Sequence, residues 1–95
     1  MKVRLVAKGI VQGVGYRNFV KEAAIKNFIK GSVSNLHNGT VEIFAEGEEK
    51  RMEEFITEIR FAEGSMATVE ELKIYKEGEK GFNWPFINKN NFTII

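Results

Sequence analysis

A chain of 95 residues, 43% of them hydrophobic, is long enough for one ordinary core, and its 14 Lys and Arg set against 13 acidic residues leave a net charge of +1. That balance excludes strong long-range attraction to nucleic acid or anionic membrane, so any anion site has to be local. The chain has no Cys, no Asp and a single His, His37, which removes disulfides, thiolate catalysis, aspartyl-phosphate intermediates, Ser-His-Asp triads, EF-hand loops and zinc sites built on Cys or several His. What remains is Arg, Lys, Glu, Asn, hydroxyls and backbone groups.

Val3, Leu5 and Ala7 alternate with Lys2, Arg4 and Lys8, the period of a strand with one buried face. The chain then passes through Gly9-Ile10-Val11-Gln12-Gly13-Val14-Gly15, a glycine-punctuated loop, into a helix predicted over 17–28 from Phe19, Val20, Ala23, Ala24 and Phe28. Gly31 breaks it. Residues 32–36 and 40–46 read as two strands joined around His37-Asn38-Gly39, with Asn-Gly as the hairpin signal.

Glu48 and Glu49 suit a helix start, and Met52, Phe55, Ile56 and Ile59 carry a second helical stripe that ends before Gly64. Residues 69–75 give a fourth strand with Leu72 and Ile74 inward and an irregularity at Glu70-Glu71, and Phe92 and Ile94 mark a short fifth. The segment 77–91 reads as a loop whose Phe82, Trp84, Pro85 and Phe86 anchor it to the body rather than forming a ligand-stacking patch. The order β-α-β-β-α-β plus a short C-terminal strand predicts an α+β, ferredoxin-like sandwich: an antiparallel sheet with two helices on one face, in a single domain spanning 1–95. No apolar stretch approaches the roughly 18 to 20 residues of a membrane span, and the start of the chain has no signal-peptide pattern, so a cytoplasmic protein is expected.

A strand-to-helix loop carrying Gly9, Gly13 and Gly15 can aim backbone N–H groups at one point, and Arg17 at the helix start can fork onto two oxygens of an anion. On these grounds alone a plain turn with a solvated Arg stays open. Neither nucleotide-binding glycine pattern is present.

Gly9-Ile10-Val11-Gln12-Gly13-Val14-Gly15-Tyr16-Arg17 resembles, position by position, the acylphosphatase signature G-x-V-Q-G-V-x-[FY]-R. Gly31-Ser32-Val33-Ser34-Asn35, followed by Gly39, Val41 and Gly47, resembles that family's second signature, departing from it at Ser32, where the family has a large aromatic, and at Ser34, where a basic or long polar residue is common. The resemblance covers residues 1 to 75.

It implies a hydrolase of small acyl phosphates that releases carboxylate and inorganic phosphate by in-line water attack, with no cofactor and no metal. It places the phosphate cradle on Gln12, Gly13, Val14, Gly15, Tyr16 and Arg17, and the catalytic pair on Arg17, which holds the phosphate, and Asn35, which positions the water. A monomer is expected, with no nucleic-acid or membrane partner. Tyr16 is read as packing around the loop with a hydroxyl that can face solvent, Gln12 as shaping the cradle through its backbone, and His37 as a solvated turn residue.

The alternative is a related domain that binds a phosphorylated ligand with little or no hydrolysis, of the kind found in carbamoyl-transferring hydrogenase maturation proteins. A ferredoxin-like RNA-binding module is the third class. It needs aromatics displayed on the open sheet face, whereas strands one and three here are expected to present Lys, Arg and Glu rather than exposed Phe or Tyr.

Overall fold

The computed structural model describes residues 1–85 and 90–95. The elements run β1 (Lys2–Ile10), α1 (Tyr16–Lys26), β2 (Lys30–Asn35), β3 (Val41–Glu46), α2 (Glu49–Phe61), β4 (Thr68–Lys76) and β5 (Phe92–Ile94). The predicted ferredoxin-like order is therefore present. The strands form one sheet in the order β4-β1-β3-β2-β5, with β1 paired antiparallel to both β3 and β4.

Alternation decides which face is buried. Val3, Leu5 and Ala7 of β1, Val33 of β2, and Val41, Ile43 and Ala45 of β3 meet Tyr16, Val20 and Ala24 of α1 and Met52, Phe55 and Ile59 of α2 in one cluster, with both helices on the same side of the sheet. Burying each large side chain is worth about 1.5–3 kcal/mol. Among the described residues no helix is long and apolar enough to cross a membrane.

Three expectations are revised. The sheet is mixed rather than purely antiparallel, because β5 returns to lie parallel to β2, with Phe92 opposite Gly31 and Ile94 opposite Val33. Helix α1 stops at Lys26: the buried Asn27 side chain donates to the Ala23 carbonyl at 2.8 Å, and Phe28 turns to a left-handed φ of 58°. Phe28 is thus no core residue. It is exposed, with the Arg51 guanidinium 5.0 Å from its ring centroid.

The face away from the helices also differs from expectation, since it carries aromatics among its charges. Phe44 of β3 meets Trp84 edge-on at 5.5 Å, Trp84 stacks on Phe82 at 5.4 Å, and Arg4 lies 5.2 Å from the Tyr75 ring. Arg4 also donates to Glu42 Oε2 at 2.9 Å and to the Gly81 carbonyl at 3.0 Å, which ties the segment after β4 down over the sheet. The expected anchoring by Phe82 and Trp84 is what the structure has; Phe86 lies outside the described residues. The irregularity foreseen at Glu70-Glu71 is a bulge, since Lys8 faces Glu71 and Gly9 faces Val69, leaving Glu70 as the extra residue.

Candidate active site

The loop between β1 and α1 folds as its glycines require. Gly13 and Gly15 take left-handed φ values of 74° and 77°, a region that costs other L-residues about 1–2 kcal/mol. A Cβ added at either would meet nothing within 4 Å, so backbone conformation and not crowding selects glycine here, and the space above the loop is open.

Gly15 is the N-cap of α1. It offers no capping side chain, and the first turn contains no acidic residue. The first N–H groups of the helix therefore lack a side-chain acceptor, and the positive end of the helix dipole is not neutralised locally. Beside this helix start lies a recess of ≈ 110 Å³ lined by Val11, Gly13, Gly15, Tyr16, Arg17, Asn18 and Ile94. The recess has room for more than one water molecule and so for a small tetrahedral anion.

Arg17 is half-buried at the recess. Its Nη1 donates to the Ile95 carbonyl at 3.3 Å, and Ile95 in turn donates its N–H to the Val33 carbonyl at 2.8 Å. The C-terminal segment thus steadies one arm of the guanidinium. Among the described residues no Glu side chain pairs with it, which leaves other N–H donors of the fork for an anion. Ile94 and Ile95 were beyond sequence reasoning, because their approach to Arg17 depends on the parallel return of β5 and has no local signal.

Tyr16 differs from the expectation of a hydroxyl that can reach solvent. The side chain is 1% exposed, its ring stacks 6.5 Å from Phe19, and its hydroxyl donates to the Ile59 carbonyl at 2.8 Å. Burial pushes the phenol pKa well above its ordinary value. Ile59 lies in the last turn of α2, where carbonyls have no helical partner, so Tyr16 closes that end while it holds the loop to the core.

Val14 packs against the core cluster. Gln12 does more than shape the loop: its Nε2 donates to the Leu36 carbonyl at 2.8 Å and to the Thr40 carbonyl at 2.8 Å, the two ends of the turn between β2 and β3.

Asn35 is the last residue of β2, opposite Val41, and is exposed. It is on the helix-side parity of Val33 and next to Leu36, the residue gripped by Gln12. Asn35 does not line the recess itself. The structure brings its strand end toward the loop through Gln12 and toward Arg17 through Val33 and Ile95.

A larger hollow of ≈ 450 Å³ lies on the opposite sheet face, lined by side chains such as Lys8, Glu71 and Lys73. It lacks the glycine loop and the helix start, so the smaller recess is the stronger candidate for an anion.

The family model for acylphosphatase matches residues 3–94, past residue 75 where the motif resemblance ends. The chain belongs to the acylphosphatase family. An acylphosphatase of Listeria welshimeri is 41% identical over 87 residues, covering 92% of this chain and 87% of the relative. The crystal structure of the Bacillus subtilis acylphosphatase superposes with a TM-score of 0.80 at 29% identity, covering 99% of this chain and 97% of that one. A protein described as "Probable carbamoyltransferase HypF" from Methanocaldococcus jannaschii is 43% identical over 74 residues, covering 78% of this chain; the chain spans only 10% of that relative's length.

Against the acylphosphatase signature, the departures at Ser32 and Ser34 fall on the sheet face turned away from the recess, because they alternate with Val33. Ser32 is 3% exposed beside Phe44, in a small crevice closed by Trp84 and Pro85. An aromatic contributed by the later loop thus covers the place where the family signature has its own.

Proposed function

We propose that this protein hydrolyses the carboxyl–phosphate bond of small acyl phosphates at the Arg17 recess. The observation that carries the reading is an uncapped helix start with left-handed glycines and a half-buried Arg17 lining one anion-sized recess. Backbone N–H groups of residues 12–17 and the Arg17 guanidinium hold the phosphoryl oxygens, and their positive potential offsets charge in the transition state.

Water attacks phosphorus in line as the P–O bond to the acyl group breaks. The bonding pair leaves with the carboxylate, and the water proton passes to a phosphoryl oxygen. A carboxylate is a weak base and needs little protonation as it leaves, so a chain with no Asp and one exposed His at the β2–β3 turn is chemically sufficient. The reading assigns no metal to these steps. The Asn35 side-chain amide orients the water from the end of β2, a role supported by its place in the second signature and by the tethering of its strand end to the loop.

Asn35→Ala tests the division of labour. It is expected to keep inorganic phosphate as a competitive inhibitor of similar strength while losing on the order of 10² to 10³ in kcat, the usual effect of removing one preorganised donor. Loss of phosphate binding in Asn35→Ala would move Asn35 from the water to the cradle.

The similarity to a HypF segment favours a second reading, a domain that binds a phosphorylated ligand without hydrolysing it. Phosphate binding at Arg17 with no turnover of acetyl or benzoyl phosphate by the folded protein would select it.

A further inference from the structure

We infer that the Gln12 side chain is a positioning residue that sets Asn35 against the phosphate loop; this rests on the hydrolytic reading above. Both acceptors of its amide nitrogen are carbonyls, Leu36 and Thr40, each at 2.8 Å. Two carbonyl oxygens at that distance require the amide nitrogen at this position, and both of its hydrogens are then engaged. The side chain therefore has no N–H left for a phosphate. Any contact of Gln12 with the anion is through its backbone, and the side chain serves something else.

The topology shows what. The phosphate loop follows β1, whereas Asn35 ends β2, and β3 lies between these two strands in the sheet. No ladder hydrogen bond joins β1 to β2, so sheet pairing sets the loop and the strand end relative to one another only at second hand. Gln12 spans the gap directly and holds both ends of the connecting turn.

That turn is otherwise closed on itself. The Leu36 N–H donates to the Thr40 carbonyl, the Gly39 N–H to the Leu36 carbonyl, and the Thr40 N–H and hydroxyl to Asn38 Oδ1. His37, Asn38 and Gly39 are exposed, so few packing contacts steady the turn. Gln12 uses the second acceptor site of each of its two structural carbonyls, and Leu36 adjoins Asn35 in the chain. Loosening this link lets the water-orienting amide drift from the phosphoryl group, and a displacement near 1 Å can cost about 10²-fold in rate.

A double-mutant cycle on benzoyl phosphate hydrolysis tests the assignment, with Gln12→Leu, Asn35→Ala and the pair assayed well below their unfolding midpoints. Gln12→Leu is expected to lower kcat by roughly 10- to 100-fold, with the inhibition constant of inorganic phosphate within about threefold of wild type. In the Asn35→Ala background the same change is expected to cost less than about threefold, because groups acting through one another are not additive.

Equal losses in both backgrounds would make Gln12 a general structural support and overturn the inference, as would a Gln12→Leu protein with wild-type kcat. A wild type without turnover would overturn the hydrolytic reading and this assignment together. An active wild type beside an additive cycle would overturn the assignment alone. If Gln12→Leu fails to fold, Gln12→Glu, which puts a carboxylate against the two carbonyls, is expected to show the same kcat loss and the same non-additivity. Additivity in that variant would equally count against the role.

Discussion

The hydroxyl of Tyr16 donates to the carbonyl of Ile59 across 2.8 Å, joining the first residue of α1 to the last turn of α2 inside the core. This bond couples the glycine loop before α1 to the packing of the second helix. Tyr16→Phe removes the donor and strands a buried carbonyl, so it is expected to lower stability by about 1–3 kcal/mol at neutral pH, read from urea unfolding.

Burial of the same hydroxyl has a pH signature. The folded-state pKa of Tyr16 is raised above its ordinary value of 10.0, so the folded protein keeps this proton where the unfolded chain loses it. The stabilisation is fully present below pH 10 and declines above it. Unfolding midpoints of wild type should fall more steeply between pH 9 and 11 than those of Tyr16→Phe; parallel curves would show that Tyr16 ionises alike in both states.

Gly15 tests the loop conformation. Its φ of 77° is unfavourable for alanine, while the space around it is empty, so Gly15→Ala should cost about 1–2 kcal/mol from backbone strain alone. Asn tolerates left-handed φ better, so Gly15→Asn should cost less. Equal costs for the two would point to a clash instead.

Phe92 links packing to the site. It is 3% exposed, meets Phe55 edge-on at 6.1 Å and sits on the strand that delivers Ile95 to Arg17. Phe92→Ala should cost about 3–5 kcal/mol and, in the protein that remains folded, weaken inhibition by phosphate. A stability loss with unchanged phosphate inhibition would detach β5 from the site.

Arg4 offers the contrasting case on the opposite sheet face. Arg4→Met removes the donors to Glu42 and Gly81, so Trp84, the only tryptophan, should become more accessible to acrylamide quenching while kcat stays within twofold of wild type.

Local pattern carried most of the fold into the sequence. Alternation marked Val3, Leu5 and Ala7, the helical stripe marked Met52, Phe55 and Ile59, and the double Glu at 70–71 marked the bulge. The mismatches fall where a contact outside the pattern decides, a local one at Asn27 and a tertiary one at β5. Phe28 fits the helical period, yet Asn27 ends the helix by bonding back to Ala23. Three residues of β5 carry no signal of which strand they will join or in which direction, so neither the mixed sheet nor the Ile95 contact was legible.

At the site, the glycines and Arg17 allow an anion loop through chemistry that is local to them, and the signature resemblance is what favours it over a plain turn. The destinations of the Gln12 and Tyr16 side chains, 24 and 43 residues away along the chain, are not written in any local pattern.

Hydrolysis at Arg17 is tested by the initial rate of benzoyl phosphate hydrolysis by wild type and Arg17→Ala, each with excess chelator and each titrated with inorganic phosphate. Chelator is expected to leave the wild-type rate unchanged, and Arg17→Ala, though folded, is expected to lose both turnover and inhibition by phosphate. A folded Arg17→Ala protein that still turns over substrate and is still inhibited by phosphate at wild-type concentrations would contradict hydrolysis at Arg17.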